Sequence, residues 1–318
     1  MKISVIGCGR WGSLIAWYLD RIGHEVILYG RSSSSNMQRF LIERKNNLLT
    51  LPETISLKTS LECIAETEVI VISINSQGLQ DLMDELKPLN IKNKIFVLCM
   101  KGIEISTGRR LSQVANDNLD YSNEVAVWLG PGHVQEFYKG IPNCMVIDSN
   151  NEAVKKLLVD NFSSDLIRFY YGQDLVGNEI GAAAKNVIGI AAGMLDGLGL
   201  STLKGALMSR GTREVARLIK AVGGSELSAY GLCHLGDYEA TVFSPFSHNR
   251  QFGEAFIKNE KYNELAEGYY TVKALMNLGK NYGVDLPISS AVYDILYQGK
   301  VPKDVLDSLF TRSLKSEF

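Results

Sequence analysis

The sequence predicts two parts of different fold class, an α/β domain built on a doubly wound parallel sheet and then an all-α domain. Two observations support this prediction. In the first half, short apolar runs of β-forming residues alternate with runs of helical spacing, as in parallel sheets with crossover helices. After about Gly172, strand-like runs are nearly absent and the spacing is mostly helical. We place the boundary near residue 173, so the expected domains are residues 1–173 and 174–318.

The elements of the N-terminal domain follow in order along the chain. A strand is predicted over Lys2–Ile6, a helix over residues 11–22 and a second strand over Glu25–Tyr29. Near-continuous apolar runs are typical of parallel strands that are covered on both faces. Further strands are therefore predicted at residues 68–74, 95–99 and 125–129, with a closing strand at 166–171.

The most apolar stretch of the C-terminal domain, residues 180–200, is predicted to be a buried helix. It has the length of a membrane span, but it contains Lys185, Asn186 and Asp196. One central Lys costs about 2.5–3.5 kcal/mol in a bilayer, so stable membrane insertion is not expected. Alanine and glycine crowd this stretch at helical spacing, which lets other helices approach its backbone closely.

Composition narrows the classes of partner. The formal net charge is -2, so the chain has no general attraction for nucleic acid or for an anionic membrane. Its five cysteines are widely spaced, odd in number and without a CxxC pair, so neither a disulfide framework nor a metal site is expected. Because the sequence starts directly with a strand, we expect no signal peptide and a cytoplasmic protein.

A glycine motif between the first strand and the first helix predicts a dinucleotide site. Residues 7–12, GCGRWG, fit G-x-G-x-x-G. In this Rossmann motif Gly7 allows the tight turn, Gly9 lets the backbone approach a pyrophosphate, and Gly12 lets helix and strand pack closely. The helix N-terminus adds unpaired N–H groups and a positive dipole end. A glycine-rich turn without a ligand is the alternative.

The end of the second strand bears on the choice of cofactor. NAD-specific sites usually place Asp or Glu there to hold the ribose 2′-hydroxyl. This chain has Arg31 and Ser32 instead, followed by three further serines. A guanidinium and hydroxyls suit a 2′-phosphate. NADP(H) is therefore favoured and NAD(H) is the second candidate, while a solvated polar loop is the alternative interpretation of these residues.

A resemblance to a known family rests on several motifs. Residues 178–193, NEIGAAAKNVIGIAAG, resemble the signature of NAD(P)-dependent glycerol-3-phosphate dehydrogenases. Other family motifs have counterparts in the same order over essentially the whole chain: GCGRWG at residues 7–12, Lys101-Gly102-Ile103, Gly130-Pro131, Leu198-Gly199, Ser209-Arg210-Gly211, Gly236-Asp237, Ser247-His248-Asn249-Arg250 with Phe252-Gly253, Ala266-Glu267-Gly268 and Leu286-Pro287-Ile288. The resemblance implies reversible NAD(P)H-dependent reduction of dihydroxyacetone phosphate to sn-glycerol 3-phosphate, for phospholipid synthesis.

The resemblance also implies roles for individual residues. Lys185 is the expected proton-transfer residue, since a desolvated Lys can act as a proton donor or acceptor. Asn186 would position neighbouring groups, Lys101 would be a second cation at the substrate, and Asp237 would orient Lys185 or the substrate hydroxyls. The expected substrate-binding residues are Lys101, Gly130, Lys185, Asp237, Thr241, Ser247, His248, Asn249 and Arg250. The expected cofactor-binding residues are Gly7, Gly9, Arg10, Trp11, Gly12, Arg31, Ser32, Lys101, Val134, His248 and Glu267.

Three positions depart from the family pattern. Gly132 stands where the family has Ser, His248 stands where it has an Arg that grips the substrate phosphate and the cofactor, and Arg10 replaces a small residue. A neutral imidazole cannot replace a bidentate guanidinium, although imidazolium or Arg250 could do so in part. The expected partner is a phosphorylated ketose, and a homodimer is left open.

Two other functions therefore stay open at this point. A reductase of the same two-domain plan, such as a ketopantoate reductase, could act on another small ketone or keto acid. A divergent paralogue could bind the dinucleotide without catalysis. The retained Lys101, Lys185, Asn186, Asp237 and Asn249 argue against the second, because a sensor needs no acid–base residues.

Overall fold

A computed structural model describes residues 1–313 and 316. In that part, the strands are β1 (Lys2–Ile6), β2 (Glu25–Tyr29), β3 (Ser56–Lys58), β4 (Val69–Ile72), β5 (Ile95–Leu98), β6 (Glu124–Leu129), β7 (Asn143–Ser149) and β8 (Ile167–Tyr171). The helices are α1 (Arg10–Arg21), α2 (Ser35–Glu43), α3 (Leu79–Leu86), α4 (Leu111–Asn118), α5 (Val134–Tyr138), α6 (Glu152–Phe162), α7 (Leu175–Gly197), α8 (Lys204–Val222), α9 (His248–Ile257), α10 (Glu267–Tyr282), α11 (Pro287–Gln298) and α12 (Pro302–Phe310).

The eight strands form one sheet in the order β3-β2-β1-β4-β5-β6-β7-β8. Strand β1 pairs in parallel with both β2 and β4, so the chain changes direction across the sheet at β1. In doubly wound sheets, ligands bind outside the carboxyl ends of the strands at such a switch point. The glycine motif follows β1 directly and therefore lies at this switch point.

The sheet corrects the predicted topology at one side. Strand β7 runs antiparallel to β6, with Ala126 opposite Ser149, and β8 is parallel to β7. The sheet is thus mostly rather than wholly parallel. Neither β7 nor β3 was predicted, because β3 has three residues with none buried and β7 starts in the half-buried residues Asn143 and Cys144. The predicted closing strand corresponds to β8, at the edge of the sheet.

The core of the α/β part surrounds Trp128 of β6. Its indole packs against the ring of Phe169 at 4.9 Å, of Phe162 at 5.7 Å and of Tyr18 at 5.9 Å between centroids. Tyr18 also donates a hydrogen bond from its hydroxyl to the carbonyl oxygen of Phe162, at the end of α6. Helices α1 and α6 are therefore fixed to the sheet through one buried aromatic cluster.

The chain divides into two compact units. One contains Met1–Gly102 and Arg109–Glu179, and the other contains Ile103–Gly108 together with the chain from Ile180 onwards. The division falls inside α7, whereas the sequence placed it at residue 173, before that helix. The second unit is helical, as predicted. None of the helices in the described residues combines the length and the apolarity that crossing a bilayer requires.

Candidate active site

The turn after β1 requires glycine at two positions. Gly7 has φ +110°, and a Cβ there would lie 2.1 Å from the carbonyl oxygen of Ser73, which follows β4. A Cβ on Gly12 would lie 1.9 Å from the carbonyl oxygen of Gly7. Any side chain at either position would push β1, β4 and α1 apart. The geometry thus agrees with the tight turn and the close helix–strand packing expected of the motif.

Gly9 is the N-cap of α1 and has no side chain to cap the helix. Apart from its chain neighbours, none of the described residues has an atom within 4 Å of a Cβ built on Gly9, so packing within that part of the protein does not require this glycine. The first N–H groups of a helix need an external acceptor when no side chain supplies one. A pyrophosphate is a suitable acceptor, because it also meets the positive end of the helix dipole. The residues of this loop therefore fit a dinucleotide.

Arg10 and Trp11 are the first two residues of α1. The Trp11 ring packs against Phe137 of α5, with centroids 6.0 Å apart. Val134, the first residue of the same helix α5, is 4% exposed. These three sequence-predicted residues therefore lie on two helices of the α/β unit.

At the carboxyl end of β2, Arg31 meets a carboxylate from another element. Its Nη2 lies 2.5 Å from Oε1 of Glu85 in α3, and the two side chains are 61% and 41% exposed. Ser32 is exposed in the turn that follows, and Ser34 caps α2 by accepting a hydrogen bond from the Met37 N–H. An exposed ion pair contributes only about 0–1 kcal/mol, so a ligand phosphate can compete for Arg31.

Lys101 is brought to the loop after β6. Its Nζ donates a hydrogen bond of 2.6 Å to the carbonyl oxygen of Gly130. Gly130 and Gly132 have φ +131° and +142°, and a Cβ on Gly132 would lie 2.2 Å from the Phe137 ring. The serine that the family has at position 132 would therefore not fit in this backbone. The departure at Gly132 is a consequence of loop geometry in this chain.

Lys185 of α7 forms a buried polar cluster with the segment before α9. Its Nζ lies 2.7 Å from Oδ2 of Asp237 and donates a hydrogen bond of 2.8 Å to Oγ1 of Thr241. The side chains of Lys185 and Asp237 are 9% and 1% exposed. Asp237 ends a 3₁₀ turn and Thr241 lies in a π-helical turn directly after it. A π-turn inside helical structure is a frequent feature of functional sites.

A neutral histidine lies beside this cluster. His234 is fully buried, and its Nδ1 and Nε2 lie 2.8 Å from the carbonyl oxygen of Gly181 and 2.7 Å from the Tyr238 hydroxyl. Burial lowers the pKa of His234 to about 4, and the positive charge of Lys185 acts in the same direction. The ring therefore stays uncharged at neutral pH, so Lys185 and Asp237 carry the charges of this cluster.

Asn186 and Asn249 join three helices. Asn249 of α9 donates from Nδ2 to Oδ1 of Asn186 at 3.1 Å and accepts the Gly268 N–H of α10 at 2.9 Å. A Cβ on Gly268 would lie 2.5 Å from the carbonyl oxygen of Asn186, so the helices touch backbone to backbone. Glu267 precedes Gly268 as the first residue of α10. Asn186, the expected positioning residue, thus belongs to one hydrogen-bonded chain with Asn249 and the Gly268 N–H.

The first residues of the family signature anchor α7. Oδ2 of Asp148 in β7 accepts a hydrogen bond of 2.8 Å from Nδ2 of Asn178. The carboxylate of Glu179 accepts a hydrogen bond of 2.6 Å from Nη1 of Arg110. It also accepts hydrogen bonds from the backbone N–H and the hydroxyl of Ser112, at 2.8 and 2.6 Å. Burial raises the pKa of Glu179, against the opposing effect of Arg110. This part of the signature is therefore structural.

His248 has a partner that the sequence did not reveal. Ser247 caps α9, and His248, the next residue, has Nδ1 2.6 Å from the hydroxyl of Tyr262. The Tyr262 hydroxyl also donates a hydrogen bond of 3.0 Å to Oε1 of Gln251. Which of His248 and Tyr262 donates in the first contact depends on the tautomer of the ring.

Arg250 is not brought to the Lys185 cluster. Its Nη1 lies 2.5 Å from Asp196 and 3.2 Å from Glu254. Burial acts to raise the pKa of Asp196, but hydrogen bonds, including one from Arg250, outweigh it and lower the value. Asp196 follows Lys185 by eleven residues on α7, a rise of about 16 Å. Arg250 is thus paired with two carboxylates in this arrangement, and its expected contact with the substrate phosphate stays a prediction.

Glu85, His234 and Tyr262 are among the residues of these clusters that were not found from the sequence. Each reaches its partner across a turn or from another helix, so no local motif marks it. The two units thus have separate chemical capacities. The α/β unit has a loop that suits a pyrophosphate, and the helical unit has a buried ammonium–carboxylate pair that suits proton transfer.

Comparisons with known proteins place these features in context. The models of the NAD-dependent glycerol-3-phosphate dehydrogenase N-terminus and C-terminus match residues 2–155 and 174–307. A protein of Thermoanaerobacter sp. (strain X514), named glycerol-3-phosphate dehydrogenase (NAD(P)+), is 36% identical, covering 100% of this chain and 99% of the relative. One of Chlorobium limicola with the same name is 33% identical at the same coverage. The crystal structure of glycerol-3-phosphate dehydrogenase from Coxiella burnetii has a TM-score of 0.92 and 28% identity, covering 98% of this chain and 99% of that one.

Proposed function

Because this chain belongs to the family of NAD-dependent glycerol-3-phosphate dehydrogenases, we propose that it reduces dihydroxyacetone phosphate reversibly to sn-glycerol 3-phosphate. The product is a precursor of phospholipids. The observation that carries the proposal is the buried pair of Lys185 and Asp237, with Nζ and Oδ2 2.7 Å apart. Reduction of a ketone puts negative charge on the carbonyl oxygen, and a desolvated cation that can release a proton stabilises that charge.

The chain's own residues would move the proton. When it is bound, the nicotinamide cofactor exchanges a hydride with the carbon of the substrate that is reduced. Nζ of Lys185 donates a proton to the oxygen of that carbonyl group, and in the reverse direction it accepts the hydroxyl proton. Asp237 neutralises the ammonium in its buried position, and Thr241 accepts one of its N–H groups. The two together orient Nζ.

The roles of the other predicted site residues are assigned from the chemistry of each residue. Gly7, Gly9 and Gly12 would shape the pyrophosphate loop, and Arg31 with Ser32 would meet the ribose end of the cofactor. Lys101 would supply a second cation for the substrate. The assignments of Arg10, Trp11, Gly130, Val134, Asn186, Ser247, His248, Asn249 and Glu267 stay predictions from the family resemblance. The assignment of Arg250 to substrate binding likewise stays a prediction from the family resemblance.

An absorbance assay tests the proposed reaction. Purified protein is mixed with NADPH or NADH, and oxidation is followed with and without dihydroxyacetone phosphate. We expect oxidation that depends on this substrate with either cofactor. Dihydroxyacetone, ketopantoate and other 2-keto acids serve as controls. Faster turnover of any of these than of the phosphorylated triose would overturn the proposed substrate, and no turnover of any would overturn the reaction.

The Arg31–Glu85 pair leads to a prediction about cofactor preference. Glu85→Gln should bind NADPH about fivefold more tightly, because the exposed ion pair no longer competes for the guanidinium. The same variant should bind NADH no better, since Glu85 is the carboxylate nearest to Arg31 that could accept the ribose 2′-hydroxyl. Binding of each cofactor is measured by fluorescence titration. Asp84→Asn, the same charge change on the preceding residue, is the control, and an equal effect there would indicate general electrostatics.

His248 leads to a prediction about the substrate phosphate. His248→Arg should lower the KM for dihydroxyacetone phosphate about tenfold, because a guanidinium brings a permanent positive charge and paired N–H donors, which a neutral imidazole lacks. Tyr262→Phe removes the partner that fixes the ring and should change the same KM without changing the affinity for cofactor. Steady-state kinetics with saturating NADPH measures both. If KM is unchanged in both variants, His248 does not meet the phosphate.

A further inference from the structure

Two buried side chains beside the Lys185 cluster, His234 and Tyr238, have no role in the reaction as proposed so far. Both are fully buried, and their ring centroids lie 4.9 Å apart. Nδ1 of His234 contacts the carbonyl oxygen of Gly181 in α7, and Nε2 contacts the Tyr238 hydroxyl. A histidine with a hydrogen bond at each ring nitrogen is held in one orientation by those two partners.

The carbonyl oxygen of Gly181 fixes which ring nitrogen carries the proton. A carbonyl oxygen can only accept a hydrogen bond, so Nδ1 of His234 is the donor. Burial lowers the pKa of His234 to about 4, so at neutral pH the ring is uncharged and Nε2 has a lone pair. The Tyr238 hydroxyl therefore donates to Nε2. The two hydrogen bonds run in one direction, from Tyr238 through the imidazole to α7.

The main chain of the same two residues holds both partners of the Lys185 ammonium. The Asp237 N–H donates to the carbonyl oxygen of His234 at 3.0 Å. The Thr241 N–H donates to the carbonyl oxygen of Tyr238 at 3.2 Å. Asp237 and Thr241 supply the two oxygens that Nζ of Lys185 contacts. The position of these oxygens therefore depends on where the backbone of His234 and Tyr238 lies.

The imidazole meets α7 one turn before Lys185. In an α-helix the carbonyl of residue 181 accepts the N–H of residue 185, so His234 shares this acceptor with the backbone of Lys185. A Cβ on Gly181 would lie 3.1 Å from Cβ of His234, so glycine permits this close approach. The ring thus connects the turn that carries Lys185 to the segment that carries Asp237 and Thr241.

We propose that His234, held by Tyr238, is a positioning residue that sets the distance between Nζ of Lys185 and the carboxylate of Asp237, a role that rests on the proposed function of Lys185 in proton transfer. The neutral ring adds no charge beside the ammonium, while its two directional hydrogen bonds fix the separation of the two segments. Reaction rates depend steeply on such placement, and a displacement of about 1 Å can cost about 10²-fold.

Steady-state kinetics of the full-length protein test this role. His234→Leu removes both hydrogen bonds of the ring and should lower kcat about tenfold, with KM and cofactor affinity unchanged. His234→Asn is the conservative variant, because its amide nitrogen can take the place of Nδ1, and it should keep kcat within about threefold of wild type. If His234 acts through Asp237, His234→Leu should lower kcat no more than about twofold in an Asp237→Asn background.

A matched control separates positioning from loss of stability. Ser289 is buried in the same unit, and its hydroxyl donates a hydrogen bond of 2.7 Å to the carboxylate of Glu214. Ser289→Ala removes this buried hydrogen bond and should lower the melting temperature while leaving kcat unchanged. Thermal melting of each variant shows that the kinetics are those of folded protein.

Nitrogen-15 NMR of the same proteins supplies a readout that needs no turnover. The wild-type ring of His234 should have its proton on Nδ1. His234→Leu should shift the ammonium resonance of Lys185, which Lys185→Ala identifies, because the pairing with Asp237 changes. The ammonium of Lys204, which lies 2.7 Å from Asp196, is the internal control, and its resonance should not move.

Three results would overturn the proposal. The first is a wild-type His234 ring that is protonated on Nε2. The second is an unchanged kcat and an unchanged Lys185 resonance in folded His234→Leu. The third is a loss of kcat that Ser289→Ala reproduces or that is equally large in the Asp237→Asn background, since either would indicate general destabilisation.

Two further arms keep the test decisive. If His234→Leu does not fold, Tyr238→Phe takes its place, with an expected loss of about threefold in kcat and a shift of the Lys185 resonance. The absence of both effects would overturn the proposal. Without wild-type turnover the proposed reaction fails by itself, while the NMR measurements still decide whether His234 sets the pairing of Lys185 with Asp237.

Discussion

Replacing Lys185 with alanine is expected to lower kcat about 10²–10³-fold while leaving NADPH binding within about twofold of wild type. Nζ of Lys185 contacts Asp237 and Thr241 in the helical unit, and the proposal assigns it to the oxygen of the reacting carbonyl. A decrease in kcat of this size is typical when a group that stabilises charge in the transition state is removed. Asp237→Asn should also lower kcat, since the ammonium then loses its buried counterion. Single-turnover and titration measurements separate chemistry from binding.

The chain contains a matched control for this variant. Lys204 is also a buried lysine of the helical unit, and its Nζ lies 2.7 Å from Asp196, the same distance as in the Lys185 pair. Breaking a buried pair by removing one partner costs about 3–5 kcal/mol of stability. Lys204→Ala should therefore melt at a lower temperature but turn over normally while folded. Turnover of Lys185→Ala within about threefold of wild type would contradict the assigned role.

Gly9→Ala is expected to keep the fold and lose about 10–100-fold in cofactor affinity. Beyond the two chain neighbours, no atom of residues 1–313 and 316 lies within 4 Å of a Cβ at this position, so the protein itself tolerates the methyl group. A pyrophosphate on the N–H groups of α1 does not tolerate it, and each charge-assisted hydrogen bond that is lost costs about 1.5–3 kcal/mol. Trp11 lies two residues away and reports binding by fluorescence, while thermal melting reports the fold.

Gly12→Ala is the comparison variant, because its Cβ would lie 1.9 Å from the carbonyl oxygen of Gly7. Overpacking of this kind costs about 1–3 kcal/mol, so this variant should lose stability as well as cofactor affinity. Gly9→Ala thus tests whether the ligand requires a glycine, and Gly12→Ala tests whether packing within the protein requires one. Wild-type cofactor affinity in Gly9→Ala would mean that the dinucleotide does not approach this loop.

The features that could be predicted from the sequence are those with local patterns. The glycine motif depends on a strand, a turn and a helix within a short stretch, and the strands β4 and β5 are continuous apolar runs. Lys185 was assigned its role through the resemblance of residues 178–193 to the family signature, and a cation within such an Ala/Gly-rich helix is costly unless it has a function or a partner. In each case the relevant physics acts between neighbours in the chain.

The features that were missed depend on pairing between distant residues. Strand β7 runs antiparallel to its partner β6, and the residues of β7 alone do not encode that direction. Arg250 matches a family motif, yet Asp196 and Glu254 decide where its guanidinium lies. Glu85 pairs with the Arg31 guanidinium, although it lies in a helix more than fifty residues later in the chain. Charge pairing across elements is therefore the main reason why the candidate site was only partly predictable.

The division of the chain also has a consequence for its biosynthesis. The helical unit includes Ile103–Gly108, and Ile103 is fully buried. A Cβ on Gly108 would lie 3.5 Å from Leu278 of α10, so this short segment packs against residues that are translated much later. Domains generally fold as units while the ribosome elongates the chain. Here the helical unit cannot complete until α10 has been translated, and a fragment that starts at α7 lacks one piece of its own interior.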